Sequence, residues 1–338
     1  MHLERARSVT ALSGRAKLAA ALLMPVLGLG LPLAIAEGTL RLAKFEFHPF
    51  PVVQFGWPDP QTIADHYRGD PDLGWVPRSY HDSLRAARGA RPAVVFMGDS
   101  CTEWGTYPQQ TLERLAVRRR SLAQGLAVGV GGWSSIQGLQ QLERDILPLR
   151  PRVVTIYYGW NDHWVALGPP DTELRRTRAM MWLSDRFRLV QLVDKVRTVV
   201  STPPPGERPN RVDVGTYQAT LERMVRRINA SGGAAVLVTA PSLHVRGREP
   251  EYLRARHLRR LDDLVPMHRE YTEATRRAAQ AAEAELCDAA AEFEKRPALI
   301  GRYFMRDGIH LTPEGDAALA DLLAPSIERA DASRARAH

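Results

Sequence analysis

Three residues in this chain of 338 amino acids have the types and spacing that acyl transfer asks for. Ser100 stands in Gly98-Asp99-Ser100, close behind the apolar run Ala93-Val94-Val95-Phe96-Met97. His310 stands in Asp307-Gly308-Ile309-His310, three residues after Asp307. A hydroxyl attacks an ester carbonyl when a base takes its proton, a third group orients that base, and donors wait for the tetrahedral oxyanion. Ser100 can be the nucleophile, His310 the general base and Asp307 the orienting group. Donors are at hand in the backbone N–H groups of Ser100 and Gly132 and in the side-chain amide of Asn161. Every role is filled once.

The neighbours of these residues have two readings each. Asp99 and Asp162 could be acids, but they sit where turn caps sit. Cys101 could rival Ser100, yet beside it reads as a small apolar residue turned into the fold. His244, in Pro241-Ser242-Leu243-His244, is a second candidate base. Trp104, Trp133, Trp160 and Trp164 fall in or beside the same loops, and His163 follows Asn161 by two residues. Trp104, Trp133, Trp160 and His163 are taken as candidate substrate contacts, the indoles by stacking on sugar rings.

Residues so far apart cooperate only if the fold gathers them. The spacing predicts strands over 93–97, 126–130, 152–158 and 234–239, with a weaker fifth near 285–288, and helices over 108–119, 135–147, 214–231, 262–284 and 313–328. Thr312-Pro313-Glu314 is a good helix start, with Thr312 as cap and Pro313 in the first turn. Alternating strands and helices imply a parallel sheet covered on both faces. Ser100, Gly132 and Asn161 each follow a predicted strand, so their loops share the carboxyl edge, where such sheets bind ligands. Residues 163–210 break the rhythm and read as an insertion over that edge and a candidate lid. Residues 45–90, rich in proline, glycine, aspartate and aromatics, read as a segment that wraps onto the domain.

The four blocks Gly98-Asp99-Ser100, Gly132, Gly159-Trp160-Asn161-Asp162 and Asp307-Gly308-Ile309-His310 resemble, in type and order, those of the SGNH or GDSL hydrolase superfamily. The resemblance covers roughly 91–328. It implies an α/β fold, a flavodoxin-like three-layer sandwich around a five-stranded parallel sheet. It also implies a Ser100–His310–Asp307 triad, an oxyanion hole of Ser100, Gly132 and Asn161, and no metal or cofactor. An asparagine that often opens the second block in the family is Ala127 here. Asp72-Leu73-Gly74-Trp75 looks like a stretch of membrane-anchored bacterial members that act in the cell envelope.

The amino terminus supports that comparison. Residues 1–17 carry Arg5, Arg7, Arg15 and Lys17, and residues 18–36 carry no charge. As a helix the second stretch would be about 28 Å long, close to the hydrocarbon thickness of a bilayer. The preceding positive charge then leaves residues 1–17 as a cytoplasmic tail and the remainder outside. The rival reading is a signal peptide cleaved near Ala36, giving a secreted protein. Two cysteines imply no disulfide framework. The net charge of +8, mostly arginine spread over helices with interspersed acids, comes with no nucleic-acid-binding module. It suits an anionic membrane or polysaccharide better.

The chain therefore divides into the tail, the anchor, the wrapping segment and a hydrolase domain over 91–330 that contains the insertion. The expected activity is that of a serine esterase acting on a small-molecule or carbohydrate ester, with an O-acetyl group on an envelope polysaccharide as the expected substrate. An O-acetyltransferase would use the same triad, and a glycan-binding module could keep the fold without turnover.

Overall fold

The computed structural model describes residues 26–47, 65–166, 168–173, 178–254 and 257–337. A π-helical turn, Val26–Gly30, leads into helix α1, Leu31–Leu42. Strands β1, Tyr67–Asp70, and β2, Gly74–Pro77, form an antiparallel hairpin ahead of α2, Tyr80–Ala90. Then follow β3, Val94–Gly98; α3, Tyr107–Arg118; β4, Gly125–Ala127; α4, Ser135–Gln141; and β5, Val153–Tyr157. The insertion holds α5, Arg178–Arg186, and α6, Arg188–Ser201. The chain continues through α7, Val214–Ala230; β6, Ala234–Val238; α8, Leu264–Ala281; β7, Glu285–Cys287; and α9, Pro313–Ala337.

Five strands form one parallel sheet in the order β4-β3-β5-β6-β7. Its register pairs Val95 with Leu126, Phe96 with Thr155, Thr155 with Val236, and Leu237 with Leu286. Side chains of a strand alternate between faces, and both faces here are apolar, as a sheet covered twice requires. Val95, Met97, Val154, Ile156 and Leu237 meet residues of α2, α7 and α8 on one side. Val94, Phe96, Val153, Val236 and Val238 meet α3 and α9 on the other. This is the α/β sandwich the family resemblance implies.

The boundaries shift for local reasons. The second strand, expected to reach residue 130, leaves the regular ladder after Ala127, although Val128 and Val130 still donate to Phe96 and Gly98 at 2.9 and 3.0 Å. Glycines 129, 131 and 132 then bend the chain away. The helix expected over 135–147 is α-helical to Gln141, then passes through a wider π turn and a tighter 3-10 turn to Leu149, with Pro148 in the last. Thr312 caps α9 as expected, its hydroxyl accepting from the Gly315 N–H at 3.2 Å, and the helix runs on to Ala337.

The expected transmembrane run 18–36 lies only partly within the described residues. Among the described residues no helix is long and apolar enough to cross a membrane. Residues 1–25, with the expected tail and the first part of the expected span, lie outside them. The described part does not stop at Ala36: α1 runs on through Glu37 and Arg41 to Leu42, so its second half carries charge.

In the segment read as wrapping, residues 48–64 lie outside the described residues. The remainder packs into the core through Leu73, Trp75, Val76, Tyr80 and Leu84. Asp70 is its polar knot: it accepts from the Leu73 N–H at 2.9 Å and from Arg144 at 2.7 Å.

Candidate active site

β3 ends at Gly98, and Asp99 caps the helical turn Ser100–Glu103 that follows, its carboxylate accepting from the Cys101 N–H at 3.0 Å. Ser100 opens that turn, so its N–H has no intrahelical acceptor. The Ser100 hydroxyl donates to His310 Nε2 at 2.8 Å. His310 Nδ1–H donates to the Asp307 carboxylate at 2.6 Å. The other Asp307 oxygen accepts from the Ile309 and His310 N–H groups at 2.9 and 3.0 Å, which fixes the loop around the imidazole. Burial alone would raise the Asp307 carboxyl, but the His310 ring and those N–H groups hold it below its ordinary range. The geometry therefore favours a charged acid behind the base.

The other loops are tied to the serine turn. Asn161, in the turn Trp160–His163 after β5, donates its side-chain amide to Asp99 at 3.0 Å. An amide has two N–H donors, so one remains for a ligand. Asp99 is buried, and burial pushes its carboxyl up although Cys101 and Asn161 donate to it. Gly131 donates its N–H to Glu103, whose carboxylate also accepts from Tyr67 Oη at 2.8 Å. Gly132 has φ +76°, a left-handed conformation that a side chain would strain. Its carbonyl accepts from Arg211 Nη1 at 2.8 Å. Arg211 is 1% exposed and paired with buried Asp171 at 2.8 Å.

The expected substrate contacts fare unevenly. Trp104 is 55% exposed, its ring 5.0 Å from the His310 ring, so it stands at the mouth of the site. Trp133 is fully buried and donates its indole N–H to the Trp75 carbonyl at 3.0 Å. Trp160 is buried with its ring stacked on His268 at 4.0 Å. His163 is buried beside them, its Nε2 3.2 Å from His268 Nδ1. These three, expected at the substrate, are core residues instead, and Trp164 is buried as well. Large aromatics beside a glycine turn fill the space under the sheet edge when their N–H groups find partners or stacked rings there.

His268 Nε2 lies 2.9 Å from the Ala240 carbonyl and must donate to it. Its Nδ1 is then an acceptor, so His163 donates. Burial lowers both histidines, His268 to about 4, and keeps the chain of rings neutral.

Cys101 is buried, and burial together with Asp99 and Asp307 pushes its thiol well up, which removes it as a nucleophile. His244 does not approach as a base: its Nε2–H donates to the Asp307 carbonyl at 2.9 Å, and its Nδ1 lies 3.0 Å from Ser242 Oγ. Tyr252 donates to the same Asp307 carbonyl at 3.1 Å. Gly308, with φ +72°, packs so closely on His244 that an added Cβ would lie 2.8 Å from Nε2. Sequence reasoning missed Arg211, Asp171, Glu103, Tyr67 and Tyr252. No motif or spacing marks them, because each acts by reaching another loop. Among the described residues no group of histidine, cysteine and acidic side chains could hold a metal ion.

A parallel α/β sandwich carrying a Ser–His–Asp relay at its carboxyl edge defines a class of hydrolases. The model of the GDSL-like lipase/acylhydrolase family matches residues 96–318, and the chain belongs to that family. It is an ester-hydrolysing enzyme. No curated protein matches the chain. Solved structures of similar fold include a GDSL-like lipase from Parabacteroides merdae, 17% identical over 70% of this chain and 94% of that one, with a TM-score of 0.48. A GDSL-like lipase from Bacteroides thetaiotaomicron is 18% identical over 75% of this chain and 97% of that one, with a TM-score of 0.47. An acetylxylan esterase from Geobacillus stearothermophilus is 18% identical over 70% and 93%, with a TM-score of 0.42.

Proposed function

We propose that the protein is a serine esterase that forms an acyl-enzyme on Ser100. The observation that carries this is the imidazole of His310 set between Ser100 Oγ at 2.8 Å and Asp307 at 2.6 Å. His310 Nε2 takes the hydroxyl proton as Ser100 Oγ attacks the ester carbonyl. Asp307 holds Nδ1–H and stabilises the imidazolium. The N–H groups of Ser100 and Gly132 and the free N–H of Asn161 stabilise the oxyanion. His310 then gives its proton to the departing alcohol. A water molecule, deprotonated by the same ring, releases the acid and restores the serine.

The substrate class we propose is an O-acetyl ester on a cell-envelope carbohydrate. Trp104 supports it: an exposed indole beside the base offers a platform on which a sugar ring can stack. The basic surface and the uncharged run 18–36, which we read as holding the domain at the outer face of a membrane, support the location. A transferase would pass the same acyl group to a sugar hydroxyl. The test is acetate release from acetylated glycans and p-nitrophenyl acetate by wild type, Ser100→Ala and His310→Ala, with and without an acceptor glycan. Release that depends on both residues and is indifferent to acceptor supports the esterase. An acetylated product at the expense of free acetate replaces it with the transferase, and wild-type protein inert toward every ester leaves a binding module.

A further inference from the structure

The insertion holds the helix pair α5 and α6, whose apolar surface is exposed among the described residues. On α6, Val193, Val196, Val199 and Val200 are 54–80% exposed. Their spacing places them on one side of the helix, away from Gln191, which is fully buried. Lys195 and Arg197 flank this stripe on its two sides. On α5, Trp182 is 54% exposed with the Arg186 guanidinium 5.0 Å from its ring, and Phe187 between the helices is 41% exposed.

The pair is joined to α1. Glu37 accepts from the N–H groups of Arg188 and Leu189 at 3.0 and 2.9 Å, so its carboxylate caps α6 from another helix. Burial works against ionisation there, yet those donors and Arg41 hold the carboxyl below its ordinary range. Arg41 donates to the Arg186 carbonyl, and Gln191 accepts from the Phe47 N–H at 3.1 Å. Leu31, Leu33 and Ile35, just ahead of Glu37, are each more than half exposed. An apolar helix end and an apolar stripe are thus riveted together, both exposed among the described residues.

We infer that α5 and α6, together with the apolar end of α1, form a foot that lies in the interface of an anionic lipid bilayer. Three observations select a lipid surface. The exposed Leu31, Leu33 and Ile35 of α1, to which α6 is joined through Glu37, belong to the uncharged run 18–36. Cations lie beside them: Arg41, Lys44 and Arg188 line one open pocket with Glu46, Arg41 being paired with Glu37 and Arg188 with Glu46. Exposed valines along one side of α6, with exposed tryptophan and phenylalanine on α5 and at the joint and with lysine and arginine beside the stripe, match the composition of helices that lie in a membrane plane. The foot lies between Asp171, which pairs with Arg211, and Asn210, which pairs with Val165. The carboxyl edge of the sheet, with the site, would then face the bilayer, and the ester it reaches would be one presented near the lipid surface.

This inference shares the membrane reading of 18–36 with the preceding proposal and does not need the esterase reading. The test uses the full chain in phosphatidylcholine/phosphatidylglycerol vesicles. An environment-sensitive fluorophore is placed on Val196→Cys, on Val200→Cys, or on Val117→Cys, an exposed site at the far end of α3. Both native cysteines are buried. Quenchers on the lipid acyl chains should cut emission at 196 and 200 at least twofold and leave 117 unchanged. The double change Val193→Asp/Val200→Asp should restore emission from a label at 196 while soluble-ester turnover and the thermal midpoint hold. Equal quenching at all three sites, or labels at 196 shielded by a second protein copy and recovered as a crosslinked dimer, would overturn the foot. Flotation of the same vesicles reads the anchor separately. A chain that floats with 196 unquenched keeps the anchor and loses the foot, and a chain that stays in solution loses both.

Discussion

Arg211 donates its guanidinium to the carbonyl of Gly132 at 2.8 Å, from a position with 1% exposure. A cation beyond the insertion thereby fixes the peptide of a proposed oxyanion donor. Its charge is balanced by Asp171, itself buried. Removing one partner leaves the other charged and dry, which costs about 3–5 kcal/mol. Arg211→Met should therefore lower stability by that order in denaturant titration, and kcat should fall further than the folded fraction explains.

Replacing Ser100 removes the proposed nucleophile without emptying any core. Ser100→Ala should keep the thermal midpoint and lose about 10³-fold or more in kcat, with p-nitrophenyl acetate as the readout. Asp307→Asn should cost on the order of 10⁴-fold by the same assay, since an amide favours the wrong imidazole tautomer. A variant of either residue at wild-type rate would sink the triad.

Asn161→Ala should lower kcat by about 10²–10³-fold, the usual cost of one oxyanion donor, with a smaller change in KM. It also strips Asp99 of a donor at 3.0 Å, so a modest loss of stability should accompany it. Unaltered kcat would remove Asn161 from the oxyanion hole.

Trp104→Ala should raise KM for an acetylated oligosaccharide about 2- to 10-fold, the scale of one aromatic contact. The KM for a small aryl acetate should move less. Equal shifts for both substrates would argue against a sugar platform.

Asp162 gives a pH-dependent prediction. Burial raises its carboxyl to about 7, although Ser135 donates to one oxygen through both its N–H and its hydroxyl. The folded state thus prefers the protonated acid, whereas the unfolded chain ionises near 3.8. This group costs no stability below that value, costs progressively more as pH rises toward about 7, and costs a constant amount above. The stability of wild type relative to Asp162→Asn should therefore fall between about pH 4 and pH 7, then level off. A difference independent of pH in paired denaturant titrations would refute the assignment.

The strands and the residues on them were legible because both signals are local. An apolar run that stops at Gly98-Asp99-Ser100 names a buried strand and the turn of the proposed nucleophile together, and Asp307 lies three residues from His310. The order of the strands and the supporting contacts are not local. Nothing near residue 211 says that its guanidinium will reach Gly132. The tryptophans misled for the opposite reason. Proximity in sequence to Asn161 does not say which way a ring points, and Trp160 turns inward onto His268 from α8, more than a hundred residues away. The insertion was visible as a break in rhythm, but nothing local says that Glu37 and Arg41 will tie α1 to it.

The hairpin β1–β2 sets a physical border for the enzyme that differs from its border by family likeness. The matched region begins at residue 96, after the hairpin has ended. Yet Trp75 donates its indole N–H to Gly131 at 3.0 Å and accepts from Trp133, and Tyr67 holds the Glu103 carboxylate against the same loop. A graft or a chimera cut at the family boundary would carry Ser100, the proposed nucleophile, but leave the glycine loop unbraced. Transplanting the activity to another scaffold means moving this upstream clasp as well, and directed-evolution libraries confined to the matched region would never sample one of the walls that shapes it.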